Sequence, residues 1–171
     1  MKRRGFTLIE VMISISILSI MMIFLYQSYA SLNRSNAFYK KEVIKIVDRD
    51  IVKKIVYFDL TLALHDSVKI LNQEKDEDVI FFQSSNSLHK NYNPYIAYIK
   101  KDSKLYRLES LKEFKEYPLG VDSEYSVDYL GDINSFRVYK SNKKIPALYL
   151  THIDFKEGND ILLKIKMLNE Y

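Results

Sequence analysis

The chain has 171 residues, 47% hydrophobic and 28% charged, which is the composition of a folded protein rather than a disordered one. Three of its 26 basic side chains lie within the first four residues, so the formal charge of +4 overstates how basic the rest is. Bulk charge therefore does not favour nucleic-acid binding. The absence of cysteine excludes disulfides, thiolate nucleophiles and cysteine-ligated zinc.

The first 26 residues combine a short basic leader with an apolar stretch of membrane-spanning length. Residues 6–26 would cross about 30 Å as a helix, and the positive charges before them favour a cytoplasmic N-terminus. Glu10 is the one ionisable residue in that stretch. Because a carboxylate in hydrocarbon is costly, it indicates a partner and a function. Three serines are tolerable there if their hydroxyls bond to the helix backbone: Ser14, Ser16 and Ser19.

Two ordinary interpretations of this segment remain open. A cleaved secretory signal would have the basic start, the apolar core and a small-residue cleavage site at Ser28-Tyr29-Ala30, although Glu10 interrupts the core. A single-pass anchor explains length and orientation but leaves Glu10 without a role. Under either interpretation, the rest of the chain would be an exported or anchored enzyme or ligand-binding domain.

A third interpretation rests on the run Gly5-Phe6-Thr7-Leu8-Ile9-Glu10, which resembles the cleavage and methylation motif of type IV prepilins at every position. The resemblance implies that a prepilin peptidase cuts between Gly5 and Phe6 and methylates the new amine of Phe6. Glu10 would serve methylation and then pair with the terminal amine of a neighbouring subunit, because burial of a carboxylate is tolerable beside a cation.

The same resemblance implies a structural subunit and not an enzyme, with no catalytic residue, cofactor or metal. Its partners would be the prepilin peptidase, other minor and major pilins or pseudopilins, and the inner membrane, without direct contact to nucleic acid. It would lie in the bacterial inner membrane as a single-pass protein with its head outside the cytoplasm, and also in the assembled pseudopilus or pilus tip. The machine would be a type II secretion, type IV pilus or DNA-uptake system.

Further features of the sequence are similar to those of the minor members of that family. Gln27 stands where many major pilins and pseudopilins have proline, and the chain has no cysteine for a disulfide-closed loop. The order of segments is similar to that of the J-type minor pseudopilins of type II secretion, and related minor pilins share the plan. The segments concerned are Tyr26-Gln27, Leu32–Arg34, Val47–Ile51, Val79–Phe82, the Ser/Asn-rich loop 84–93, Tyr95–Tyr98, Leu105–Leu108 and Ile145–Ala147.

The pattern as a whole predicts an α+β fold. A long N-terminal helix, membrane-spanning in its first half and amphipathic in its second, would pack on a mostly antiparallel β-sheet head. The predicted divisions are a leader (1–5), a transmembrane and assembly helix (6–26), its amphipathic continuation (27–62) and a β-rich head (63–171). Apolar residues spaced by three and four predict the helix face that packs on the sheet: Ile44, Val47, Ile51, Ile55 and Phe58.

After about residue 64 the apolar period falls to roughly two, which is typical of strands. Tight turns are predicted at Lys101–Ser103 and Glu157–Asp160, so the strands should pair as antiparallel hairpins. Eight short strands are predicted: 68–71, 79–82, 95–99, 105–108, 125–129, 136–139, 147–150 and 161–165.

Few other residues suggest chemistry. The histidines (His65, His89 and His152) lack the spacing of metal ligands and are interpreted as surface or strand residues. The acidic runs Glu74–Asp78 and Asp154–Asp160 lack the spaced ligands of a calcium loop and are interpreted as solvated turns. The basic positions Lys140, Lys143 and Lys144 are interpreted as a solvated hairpin end.

Overall fold

The computed structural model describes residues 7–64, 67–74, 77–120, 124–141 and 148–168. The described residues form one helix followed by seven strands, so the predicted α+β class is confirmed. In chain order the elements are α1 (Leu8–Thr61), β1 (Lys69–Glu74), β2 (Glu77–Gln83), β3 (Tyr95–Lys101), β4 (Lys104–Ser110), β5 (Ser126–Lys140), β6 (Leu148–Phe155) and β7 (Ile161–Lys166).

Helix α1 runs for 54 residues because its sequence contains neither glycine nor proline. The chain divides into two compact units, residues 1–49 and residues 50–171, and the division falls within this helix. In the first unit, no side chain of residues 7–49 is buried. The second unit contains the end of the helix and the whole sheet. The boundaries predicted at residues 26 and 62 stay a prediction.

The sheet follows the chain, with its strands in the order β1 to β7 and every sequential pair antiparallel. The predicted turn after β3 is confirmed: Lys101 pairs with Lys104, and the two residues between them have positive φ angles. Such a turn matches the right-handed twist of the strands it joins. Residues 156–160, which include Gly158 at φ 92°, connect β6 to β7 as predicted.

The prediction of two strands at 125–129 and 136–139 is wrong, because both belong to β5. The first half of β5 pairs with β4 and the second half with β6, while Phe136 also pairs in parallel with Glu77 of β2. The polar residues and Gly131 between the two halves predicted that the strand would end there. The strand continues instead, because its pairing shifts register once against β4 and once against β6. Gly131 is needed there, since its φ is 140° and an added Cβ would lie 3.0 Å from the ring of Phe155.

Both faces of the central strands are covered. On one face, the end of α1 contributes Val52, Val56 and Leu60 to the main hydrophobic core, which lies between the helix and the sheet. On the other face, a second core forms under the segment after β4, where Phe114 stacks on Phe81 with ring centroids 5.6 Å apart. This second core consists of Val79, Phe81, Ala97, Ile99, Leu108 and Phe114.

The predicted packing face of the helix is wrong in its position. The residues that pack on the sheet are Val52, Val56 and Leu60, with Ile55 partly buried beside them. By contrast, four of the five residues predicted to form that face are about half exposed: Ile44, Val47, Ile51 and Phe58. Two apolar stripes with helical spacing run side by side on this part of α1. The stripe that packs on the sheet also contains the buried Asp59, and a charged residue at that position makes the stripe hard to recognise in the sequence.

Candidate processing and assembly site

The described N-terminus begins with a reciprocal hydrogen-bonded cap on α1. The backbone N–H and the hydroxyl of Thr7 donate to the same carboxylate oxygen of Glu10, over 2.8 and 2.9 Å. In return, the Thr7 hydroxyl oxygen accepts the Glu10 N–H over 3.4 Å. This is a capping box, and the pattern Thr-x-x-Glu is its sequence signature, so the cap was predictable from residues 7–10. Gly5 and Phe6, the predicted processing positions, lie outside the described residues.

The serine hydroxyls in the helical turns after the cap form hydrogen bonds within the helix itself. The hydroxyls of Ser14, Ser16 and Ser19 donate to the carbonyl oxygens four residues earlier, over 2.7 to 2.9 Å. The predicted return of these hydroxyls to the backbone is confirmed. Such bonds make serine compatible with an apolar surrounding.

The apolar part of α1 is exposed along its length. Within the described residues this helix is long and apolar enough to cross a membrane, and no residue of its apolar window is buried inside the protein. The side chains from Leu8 to Leu25 therefore need a surrounding other than their own head, either lipid or other helices.

Residues 1–26 match the family model described as prokaryotic N-terminal methylation motif. The chain carries the N-terminus of a type IV pilin-like prepilin. The motif and the exposed apolar helix together support membrane anchoring of the chain through its N-terminal segment. No curated protein and no solved structure matches the chain.

The second unit of the chain is built around a buried ion pair between α1 and the sheet. The Arg107 guanidinium on β4 donates to both carboxylate oxygens of Asp59, over 2.7 and 3.3 Å, and neither side chain is accessible to solvent. The Tyr98 hydroxyl donates to Asp59 over 2.6 Å. This bidentate geometry fixes the end of the helix on the strands.

Charge and burial set the protonation states in this cluster. Burial lowers the pKa of Arg107, but the hydrogen bond and charge of Asp59 outweigh that effect, so the pKa of Arg107 is raised. Burial and the nearby Asp59 carboxylate raise the pKa of Tyr98 well above its ordinary value. Both groups therefore keep their proton at neutral pH. The Asp59 carboxylate accepts hydrogen bonds from three side chains, those of Arg107, Tyr98 and Asn86.

The cluster continues to a second buried carboxylate and to the loop after β2. Arg107 also donates to Glu109 over 2.7 Å, and Glu109 accepts from the backbone N–H of Leu88 and from Asn91. Burial raises the pKa of Glu109, but hydrogen bonds from Ser87 and Arg107 outweigh it and the pKa falls below its ordinary value. The Ser/Asn-rich loop 84–93 is thus tied to buried acids rather than freely solvated.

Three buried charged residues were not predicted to form a cluster: Asp59, Arg107 and Glu109. Each is buried within its element. Asp59 lies in the stripe of Val52, Val56 and Leu60, while Arg107 and Glu109 lie on the face of β4 opposite to Leu108 of the second core. The available signal was an acid and a base at inward positions of neighbouring elements. Sequence alone does not show that these positions meet.

The other predicted polar positions take structural roles. His89 lies 3.1 Å from Asp128 and His152 lies 3.2 Å from Asp160, while His65 lies outside the described residues. The solvated interpretation of the first acidic run is wrong for Asp78, which is fully buried and accepts from the backbone N–H of Val138 over 2.8 Å. Among the described residues, no group of three or more His, Cys, Asp or Glu side chains could hold a metal ion. Lys143 and Lys144 lie outside the described residues.

Proposed function

We propose that this chain is a non-enzymatic structural subunit, a minor pseudopilin or minor pilin of a type II secretion, type IV pilus or DNA-uptake machine. The observation that carries the proposal is a helix whose apolar window has membrane length and is not buried in the protein. Glu10 is the only carboxylate among residues 7–26, and it lies in the first turn of this helix within the methylation motif. A plain anchor would need only the apolar surface. A carboxylate placed there needs a cation, and a newly formed terminal amine is a suitable one.

In this proposal the chain is first a single-pass protein of the bacterial inner membrane. Lys2, Arg3 and Arg4 stay in the cytoplasm, and the sheet lies on the other side. After processing, the apolar helix moves from lipid into a bundle of similar helices of other pilins or pseudopilins. The change is nearly neutral for the apolar side chains, since helix neighbours replace lipid tails.

The first test is the chemical identity of the native N-terminus. Mass spectrometry of the protein purified from its own membrane is expected to give N-methyl-Phe6 as the first residue. The substitution Ala30→Leu should not change this result, although it would block an ordinary signal peptidase at the small-residue site. A native chain that begins at Met1 or at Ser31 contradicts the proposal and favours an exported enzyme or ligand-binding domain.

The exposed stripe of α1 supports an assembly role beyond the membrane. In the second unit, Ile51 and Phe58 are each 49% exposed although they lie beside the packed stripe. Apolar side chains at this spacing form a face that a second helix can cover. We propose that a helix of another subunit covers this face in the assembled fibre.

Two adjacent residues give a matched test of that face. Ile51→Asp is expected to leave the second unit folded and to lower cross-linking to other subunits, because its side chain is half exposed. Val52→Asp should instead destabilise the unit by about 4 kcal/mol or more, because Val52 is 6% exposed and the new charge has no partner in the core. Pulse proteolysis of the full chain in detergent measures stability. Normal assembly of the folded Ile51→Asp protein would show that the stripe is not an interface.

A further inference from the structure

The sheet has two outer edges, β1 and β7, and β7 is the more regular of them. All six residues of β7 pair with β6 in one unbroken register, from Ile161 to Lys166. β1 shifts its register against β2 between Asn72 and Glu74, and such an irregularity hinders pairing with a further strand. We propose that the free edge of β7 binds an extended, acidic segment of a partner protein, which adds to the sheet as a further strand. The proposal is independent of the assembly role.

The backbone of β7 offers hydrogen-bonding groups on the side away from β6. In an antiparallel pair every second residue directs its N–H and C=O groups towards the neighbouring strand, and the residues between direct theirs to the other side. Within the part of the chain that the structure describes, no strand or loop pairs with that other side of β7. The strand contains neither proline nor glycine. Such an edge is a template for an added strand, which would gain main-chain hydrogen bonds along its length.

The side chains of β7 define what an added strand has to present on each face. Three buried residues belong to the main hydrophobic core: Ile161, Leu163 and Ile165. Three exposed residues lie on the opposite face: Leu162, Lys164 and Lys166. An added strand alternates in the same way, so every second side chain would extend the core and the others would lie beside the two lysines. Cross-strand pairs of opposite charge are favourable, so acidic residues fit these positions. Asp160, the acid that precedes β7, lies 3.2 Å from His152 instead.

A second copy of this chain fits the edge less well than a segment of another protein. Two β7 strands that pair antiparallel are related by a twofold axis perpendicular to the sheet. That symmetry would reverse the direction of residues 50–61 of α1 in one copy relative to the other. Two chains anchored in the same membrane through the N-terminal end of this helix are not expected to run in opposite directions. A segment of a different protein has no such restriction.

The test uses the fluorescein-labelled peptide Thr-Val-Glu-Val-Glu-Val-Thr, added to the full-length protein in micelles of a neutral detergent. We expect saturable binding by fluorescence anisotropy, with empty micelles as the blank. The same peptide with a methyl group on the backbone nitrogen of every Val and Glu should bind about tenfold more weakly or worse. It keeps all side chains and charges, but those residues no longer donate hydrogen bonds to the edge of β7.

Charge reversal on β7 tests the specificity of this edge. The double variant Lys164→Glu with Lys166→Glu should weaken binding of the acidic peptide about tenfold or more. It should also strengthen binding of the corresponding peptide with lysine in place of glutamate. Both side chains are exposed, so the variant should fold, which near-UV circular dichroism checks.

The control is Lys112→Glu, which changes an exposed lysine in the segment after β4 and should bind the acidic peptide like the wild type. The proposal is overturned if the wild type shows no saturable binding, if the methylated peptide binds equally well, or if Lys112→Glu weakens binding as much as the double variant. Stable dimers in light scattering without binding of the peptide would also overturn it, because a second copy would then occupy the edge.

Discussion

Glu10→Gln is expected to prevent incorporation of the chain into the fibre while leaving membrane insertion intact. Glutamine can still accept the Thr7 N–H in a capping box, so the start of the helix should be preserved. What the substitution removes is the negative charge that would neutralise a terminal amine of a neighbouring subunit. The loss of one partner of a buried ion pair costs about 3–5 kcal/mol, which corresponds to a reduction of about a hundredfold or more in the association constant.

Thr7→Ala is the matched variant, because it removes the hydroxyl of the cap and keeps the carboxylate. It should cost only about 1 kcal/mol of helix stability and leave assembly largely intact. Assembly is measured by oxidative disulfide cross-linking between Ile17→Cys of this chain and a cysteine introduced into the apolar helix of a neighbouring subunit, with an added oxidant that accepts the two electrons. The chain has no cysteine of its own, so the engineered thiol reports alone. Normal cross-linking of Glu10→Gln together with failure of Thr7→Ala would mean that Glu10 acts only as a helix cap.

Arg107→Met is expected to lower the free energy of unfolding of the second unit by about 3–5 kcal/mol, because the buried carboxylates of Asp59 and Glu109 lose their cation. In a unit of this size the midpoint of thermal unfolding should fall by about 10 °C or more. Near-UV circular dichroism is a suitable probe, since most of the 14 tyrosines belong to the second unit and the N-terminal helix contributes little to the signal.

Lys54→Met is the control for this substitution, because Lys54 forms a surface ion pair with Asp50 over 2.8 Å and both side chains are more than half exposed. It should change the free energy of unfolding by less than about 1 kcal/mol. The double variant Asp59→Asn with Arg107→Met should lose less than the sum of the single losses, because the two residues interact directly. If Arg107→Met is as mild as Lys54→Met, the buried cluster does not hold the helix on the sheet.

The central strands were predictable because their side-chain pattern depends on local geometry. The turn at Lys101–Ser103 lies where the short polar run indicated, and β2 to β4 lie where the apolar runs indicated. The length of β5 was not predictable. A polar stretch with a glycine usually ends a strand, and here two register shifts let the strand change partners without ending.

The amino-acid sequence by itself predicts a membrane-length apolar helix at the N-terminus, a single acid in its first turn, and strands after it. These three features follow from hydrophobic periodicity and from a local motif. The packed face of the helix and the buried cluster around Arg107 come from contacts between residues far apart in the chain. Asp59 and Arg107 are 48 positions apart, and each looks unfavourable in its own element. They become compatible with the core only because folding brings opposite charges within hydrogen-bonding distance, where each offsets the desolvation of the other.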